Sequence, residues 1–157
     1  MQRPFALNLN KNKVLTILLG VYFALNFQYN KENIVMIKGM VIMAYIKNSS
    51  YQNLLKIENG QIKDYSSGQI KYFIRGDRLT DFGGRILCTF DGERIKDFGG
   101  RILLIVTTDT VKTFGGQIIA KFDSSTIKNF SGMIQYRIDG FLSRSEMMAL
   151  IAIIYAI

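Results

Sequence analysis

The sequence predicts a mainly β fold of repeated antiparallel hairpins followed by a short apolar C-terminal helix, and three observations carry that prediction. A motif recurs at a spacing of 16 residues, where Arg78-Leu79-Thr80-Asp81-Phe82-Gly83-Gly84-Arg85-Ile86-Leu87 is answered by Arg94-Ile95-Lys96-Asp97-Phe98-Gly99-Gly100-Arg101-Ile102-Leu103. Turn-forming dipeptides fall every eight residues, and apolar residues alternate between them. A fixed period of this kind marks one supersecondary unit used repeatedly.

In chain order, residues 1–42 stand apart, because they lack the repeat. Lys11 and Lys13 precede an apolar run, Val14 to Phe27, which is short for a membrane span of about 20 residues and has the character of a signal-peptide core. No small-x-small cleavage site follows it. Three readings stand side by side: a start assigned too far upstream, with translation beginning near Met43 after a purine-rich stretch at Lys38-Gly39; a membrane-directing segment; or an extra element packed on the domain. The first places the protein in the cytoplasm and the second at a membrane or envelope.

Residues 43–157 form the hairpin-repeat domain. Gly68, Gly84, Gly100, Gly116 and Gly132 lie one period apart. Between them come Asn59-Gly60, Arg75-Gly76, Asp91-Gly92, Thr107-Thr108, Asp123-Ser124 and Asp139-Gly140, types that suit tight turns. The strands alternate: Ile86, Cys88 and Phe90, then Ile102, Leu104 and Val106, share an apolar face with Leu79, Ile95, Val111 and Ile127. A turn on Asp91-Gly92 places Ile95 opposite Cys88. An open sheet of such hairpins would leave its edges exposed, so the ribbons are expected to curl around a shared centre.

Phe82, Phe98, Phe114 and Phe130 interrupt this alternation, since each falls on the polar side in the ideal register. Two accounts are open: a cation-π stack under an arginine, or a bulge that turns the ring into the core, the second being preferred.

The KDFGGRIL and FDG units at this spacing resemble the bacterial four-fold beta flower family from about Ala44 onward, most closely over Arg78 to Ile105. The resemblance implies short hairpins in an approximate four-fold arrangement and assigns no biochemical activity.

At the C-terminus, Ser143-Arg144-Ser145-Glu146 reads as a capping box before the unbroken apolar stretch Met147 to Ile157, which predicts a helix over 144–157. A helix apolar around its whole circumference must be buried. Docking on the concave face of its own hairpins is preferred to a homo-oligomer interface or contact with a membrane or another partner.

Chemistry is bounded by what is missing. The 157 residues include no histidine and one cysteine, so histidine triads and thiol-rich zinc sites are excluded, and Cys88 reads as a small core residue. Asp91, Asp123 and Asp139 read as turn formers rather than cation ligands. Asp81-Phe82-Gly83 lacks every other kinase motif, and Arg75-Gly76-Asp77 is too short to signify. No cofactor or metal is expected, and no enzymatic activity.

The net charge of +8 divides evenly, with five basic residues against Glu32 in 1–42 and fifteen against eleven in 43–157. The domain is only mildly basic, which speaks against nucleic acid. Arg85, Arg94, Lys96, Arg101, Lys112 and Lys128 are the candidate contacts for an anionic surface, against an ordinary solvated face neutralised by Asp64, Asp81, Asp97 and Glu93. The expected function is a non-catalytic interaction or scaffold module. The alternative is an envelope- or membrane-associated protein directed by Val14 to Phe27. Partners otherwise expected are further copies of the chain, through Met147 to Ile157.

Overall fold

The computed structural model describes residues 43–157; the apolar segment 14–27 and the alternatives for residues 1–42 lie outside them. Twelve strands follow one another: β1 Met43–Asn48, β2 Asn53–Glu58, β3 Gln61–Asp64, β4 Ile70–Arg75, β5 Arg78–Asp81, β6 Ile86–Phe90, β7 Arg94–Lys96, β8 Ile102–Val106, β9 Thr110–Thr113, β10 Ile118–Phe122, β11 Thr126–Asn129 and β12 Ile134–Gly140. Each pairs antiparallel with its sequence neighbours, and β12 pairs with β1 to close a barrel. Closure gives every strand two partners and leaves no open edge.

Turns alternate between two rims. At the rim where odd-numbered strands end, five loops have three residues, as in Phe82-Gly83-Gly84, and the loop after β3 has four, Tyr65 to Gly68. The Asp81 N–H donates to the Arg85 carbonyl and the Gly84 N–H to the Asp81 carbonyl, each at 3.0 Å. Gly84 has a φ of +87°, the left-handed conformation that ends this type of turn and favours glycine. That requirement explains the glycine at every sixteenth position.

A bulge follows each of these turns. Thr80 pairs with Ile86 but Leu79 with Cys88, which leaves Leu87 as the extra residue; Leu103 and Ile119 hold the same place in later repeats. The odd residue bends the sheet and raises its twist, and repetition around the ring lets strands this short close into a barrel.

At the opposite rim the loops have two residues, and most lie one position later than the sequence suggests. Phe90, not Cys88, pairs with Ile95, so the loop is Gly92-Glu93. Asp91 precedes it because its carboxylate accepts the Arg94 N–H at 3.0 Å, an Asx-type turn. The pairing slips by two residues, so every side chain keeps its face and Ile95 still points inward. Asn59-Gly60 is the turn itself, with φ values of +50° and +70°. Asp139-Gly140 is no turn at all, since both residues belong to β12 and pair with Tyr45 and Ala44.

Rungs lash these turns together. Phe90 N–H donates to the Asp77 carbonyl (2.7 Å), Val106 to Glu93 (2.6 Å), Phe122 to Asp109 (2.8 Å) and Ile138 to Ser125 (2.8 Å). Each rung ties a turn to the strand two places on, so the rim holds its curvature by backbone bonding.

Inward residues from all round the ring, Ile46, Ile62, Leu79, Cys88, Ile95, Val111 and Ile127 among them, form one core with helix α1, Arg144–Tyr155. Met147 to Ala152 are six consecutive buried residues. At 100° per residue they cover the helix on every side, so the barrel wall surrounds it. The capping box forms: Ser143 Oγ accepts the Glu146 N–H while Glu146 Oε2 accepts the Ser143 N–H at 2.9 Å. The helix enters at the rim opposite the three-residue loops and runs toward them, where Tyr155 Oη donates to Gln135 Oε1 at 2.6 Å near the start of β12. It ends at Tyr155, two residues short of the predicted 157, and among the described residues no helix is long and apolar enough to cross a membrane.

Candidate functional site: an aromatic rim

The first residue of each three-residue loop occupies the leading central position of a tight turn, whose side chain points off the end of the hairpin. That is where the repeat places its phenylalanines. Phe98 is 79% exposed and Phe82, Phe114 and Phe130 are nearly as open. The bulge exists, but on the following strand at Leu103, and it does not carry the ring into the core. No arginine stacks on these four rings either: the cation-π pairs among the described residues join Arg75 to Phe73 and Arg137 to Tyr51. Both accounts offered by the sequence therefore give way to a third, in which the rings stand in solvent.

Two further turns reach the same rim, and each carries a tyrosine. Tyr51 is 64% and Tyr65 47% exposed. All six hairpin tips at this rim thus present an aromatic ring, four Phe and two Tyr. Tyr51 lies 4.2 Å beneath the Arg137 guanidinium, Tyr65 packs edge-on against Tyr45, and Phe82 stacks beside Phe73. Phe98, Phe114 and Phe130 have no aromatic or cationic neighbour of this kind among the described residues. The end of α1, Ile153 to Tyr155, is half-buried against the core.

The candidate basic residues do not form one ring. Arg85 and Arg101 stand at the aromatic rim directly behind the glycine of their loops, with side chains 79% exposed, and each Nε contacts Asp81 Oδ2 or Asp97 Oδ2 at 3.1 Å. Lys96, Lys112 and Lys128 occupy equivalent places on β7, β9 and β11, one residue before the same rim. Lys96 pairs with Asp91 at 2.6 Å and Lys128 with Asp123 at 3.6 Å. Arg94 lies at the other rim, beside Asp91 and Glu93.

Charge is not polarised along the barrel, because ion pairs bridge its two halves: Lys47 with Asp139 at 2.8 Å and Lys63 with Glu58 at 2.7 Å, besides Lys96 with Asp91 and Lys128 with Asp123. The acids on the strand ends at the aromatic rim itself are Asp64, Asp81 and Asp97. The three acids at the aromatic rim are tied into their own turns. Asp81 Oδ1 accepts the Arg85 N–H at 2.9 Å, and the hydroxyl of Ser66, the Ser67 N–H and Lys71 hold the Asp64 carboxyl well below its ordinary range.

Among the described residues, groups suited to catalysis are not gathered. An open groove of about 470 Å³ on the wall is lined by Asp77, Arg78, Thr89, Asp91, Lys96 and Phe98 among others, and its close charged pairs, Lys96 with Asp91 at 2.6 Å and Arg78 with Asp77 at 3.5 Å, are ordinary surface ion pairs, the first of which keeps the Asp91 carboxyl below its usual value. Cys88 is fully buried, and desolvation pushes its thiol up to about 12. Among the described residues no three His, Cys, Asp or Glu side chains converge as a metal site would require.

Sequence reasoning named the arginines and lysines but not the rim, although its signal was present: an aromatic residue at a fixed offset before each repeated glycine, with Tyr65 in the same place one repeat earlier. No family model, no curated protein and no solved structure matches this chain.

Proposed function

We propose that the chain is a non-catalytic interaction module whose contact surface is the aromatic rim. The observation that carries this reading is the convergence of six exposed aromatic tips on one end of a closed barrel, an apolar surface that soluble monomers seldom leave uncovered without a partner. Folding gains nothing from rings in solvent, whereas the repeat retains one in every hairpin. Membership of the four-fold beta flower family, with the bacterial origin it implies, is part of this proposal and rests on the Asp-Phe-Gly-Gly-Arg repeats.

Affinity capture from the native host, comparing the wild-type chain with the quadruple variant F82S/F98S/F114S/F130S, tests it. The variant should keep its β-type circular dichroism and lose the wild-type partners. Identical partner sets would overturn the reading.

A second reading makes the protein envelope-associated through Val14 to Phe27, and the two lysines ahead of that apolar run favour it. Fractionation of the native protein with and without residues 14–27 tests it: loss of the membrane fraction on deletion supports it, and an unchanged distribution removes it.

A further inference from the structure

We propose that the seam where β12 meets β1 holds a site, centred on Arg137, for a carboxylate that carries a neighbouring N–H. The proposal stands apart from the reading of the rim, since it uses none of the four phenylalanines.

Beside Arg137 two residues leave the repeat. In the other five hairpins of this kind, isoleucine faces the lysine or threonine near the end of the odd-numbered strand: Ile70 faces Lys63, Ile86 Thr80, Ile102 Lys96, Ile118 Lys112 and Ile134 Lys128. Opposite Lys47 stands Asn53 instead. The loop between them closes as the others do, with the Tyr51 N–H donating to the Asn48 carbonyl at 3.1 Å and the Gln52 N–H to Asn48 Oδ1 at 3.0 Å. Tyr51 therefore takes the place that Gly84 holds in its own loop, and has a φ of +66°, which a bulky side chain enters only at a cost. Across Lys47 on the other side is Arg137, whose guanidinium lies 4.2 Å from the centre of the Tyr51 ring.

Folding does not account for these choices. Among the described residues, the buried side-chain polar atoms without a partner are Arg137 Nε and Asn53 Oδ1, and both are here. A buried polar atom left unpaired costs stability. Isoleucine and glycine, which the chain uses at the equivalent places, would avoid the cost at Asn53 and Tyr51. Asp139, the acid nearest to Arg137 along β12, is engaged by Lys47 at 2.8 Å. Lys47, Asp139 and Arg137 together leave one positive charge uncompensated.

Those groups fix the chemistry of the ligand. A guanidinium presents its N–H groups as a planar fork that fits a carboxylate, and the Tyr51 ring supports its face. A single uncompensated charge matches a carboxylate better than a phosphate dianion, whose second charge would go unpaired. Asn53 Oδ1 only accepts, so the ligand brings an N–H beside its anion. An acylated amino acid has both, as a free small acid or as the last residue of a peptide. The Tyr51 ring is 64% exposed and turns aside on the fast timescale of surface side chains, which uncovers the two buried atoms without disturbing the barrel.

The probe is N-acetylglycine, read by NMR on the full-length protein, where the Arg137 Nε–H signal is the one that R137K removes. N-acetylglycine should shift that signal saturably, N-acetylglycinamide should leave it unmoved, and inorganic phosphate should bind more weakly. N53I should weaken N-acetylglycine at least about fivefold, the worth of one hydrogen bond, while its urea midpoint holds or rises. Alanine tripeptides with free and amidated C-termini separate the two sources: a free tripeptide that binds at least as tightly as N-acetylglycine, with its amide inert, assigns a chain end, and a weaker one assigns a small acid. No saturable shift, an equal response to N-acetylglycinamide or to phosphate, or wild-type binding by N53I overturns the proposal. A lower urea midpoint for N53I overturns it too, because Asn53 would then serve closure of the barrel.

Discussion

The Arg144 guanidinium reaches across the mouth of the barrel to the Gly92 carbonyl, with Nη2 at 3.1 Å and Nε at 3.3 Å. Its remaining donors take the carbonyls of Val106 at 2.7 Å and Thr107 at 3.1 Å. One side chain at the start of the helix therefore pins two neighbouring turns of the rim, and desolvation there depresses its pKa despite the opposing pull of Glu93.

Replacing Arg144 with Ala should lower stability by about 1–2 kcal/mol, since several charge-assisted bonds go but the freed carbonyls remain close to water. Lys has one point charge where Arg has a planar fork, so R144K should recover less than half of the loss. Urea midpoints at constant slope measure both.

Leu150 is fully buried in the enclosed part of α1. Leu150→Ala should cost about 2–5 kcal/mol through lost burial and the cavity left behind. Deleting Met147 to Ile157 should give an unfolded or aggregating product, whereas a soluble, β-rich monomer would show that the barrel stands without its plug. Sedimentation and circular dichroism of the truncated chain decide the point.

The Cys88 thiol, raised to about 12, should stay untouched by a disulfide reagent at pH 8 and react fully once urea unfolds the chain. The modification rate should track global unfolding, because the side chain faces the core. Rapid labelling in native buffer would contradict this placement.

Asp123 is pushed up by burial, yet bonds from the Ser125 and Thr126 N–H groups and hydroxyls outweigh that and hold it at about 2, below the usual 3.8. A carboxyl depressed on folding contributes stability that is fully present above about pH 4 and is lost as the pH falls through about 2. The side chain is half exposed, so screening limits the contribution to under about 1 kcal/mol. D123N should be less stable at pH 7 and show a shallower acid limb in urea midpoints taken between pH 5 and pH 2.

Gly84 and its counterparts made the hairpins legible, because a left-handed turn residue leaves a mark in sequence that few other constraints mimic. Ile95 was placed on the right face though against the wrong partner, since alternation fixes parity while the Asp91 side chain, which moves the turn by one residue, leaves parity unchanged. Phe98 was misread. Alternation describes strands, and this residue sits in a loop, where no neighbour dictates its direction. Arg144 was not singled out, because the carbonyls it binds are backbone atoms, brought near only when the ring closes. The rim as a surface was invisible for the same reason: its members lie sixteen residues or so apart, and only closure makes them adjacent.

The enclosed helix has a bearing on how many repeats such a chain can accumulate. A unit that pairs only with its neighbours is easily duplicated, and each added hairpin widens the ring by two strands. The bore would then outgrow a single α-helix, about 10 Å across, and leave a void that its apolar lining cannot tolerate. The central rod therefore acts as a gauge, selecting from the lengths that gene duplication supplies the one circumference it can fill.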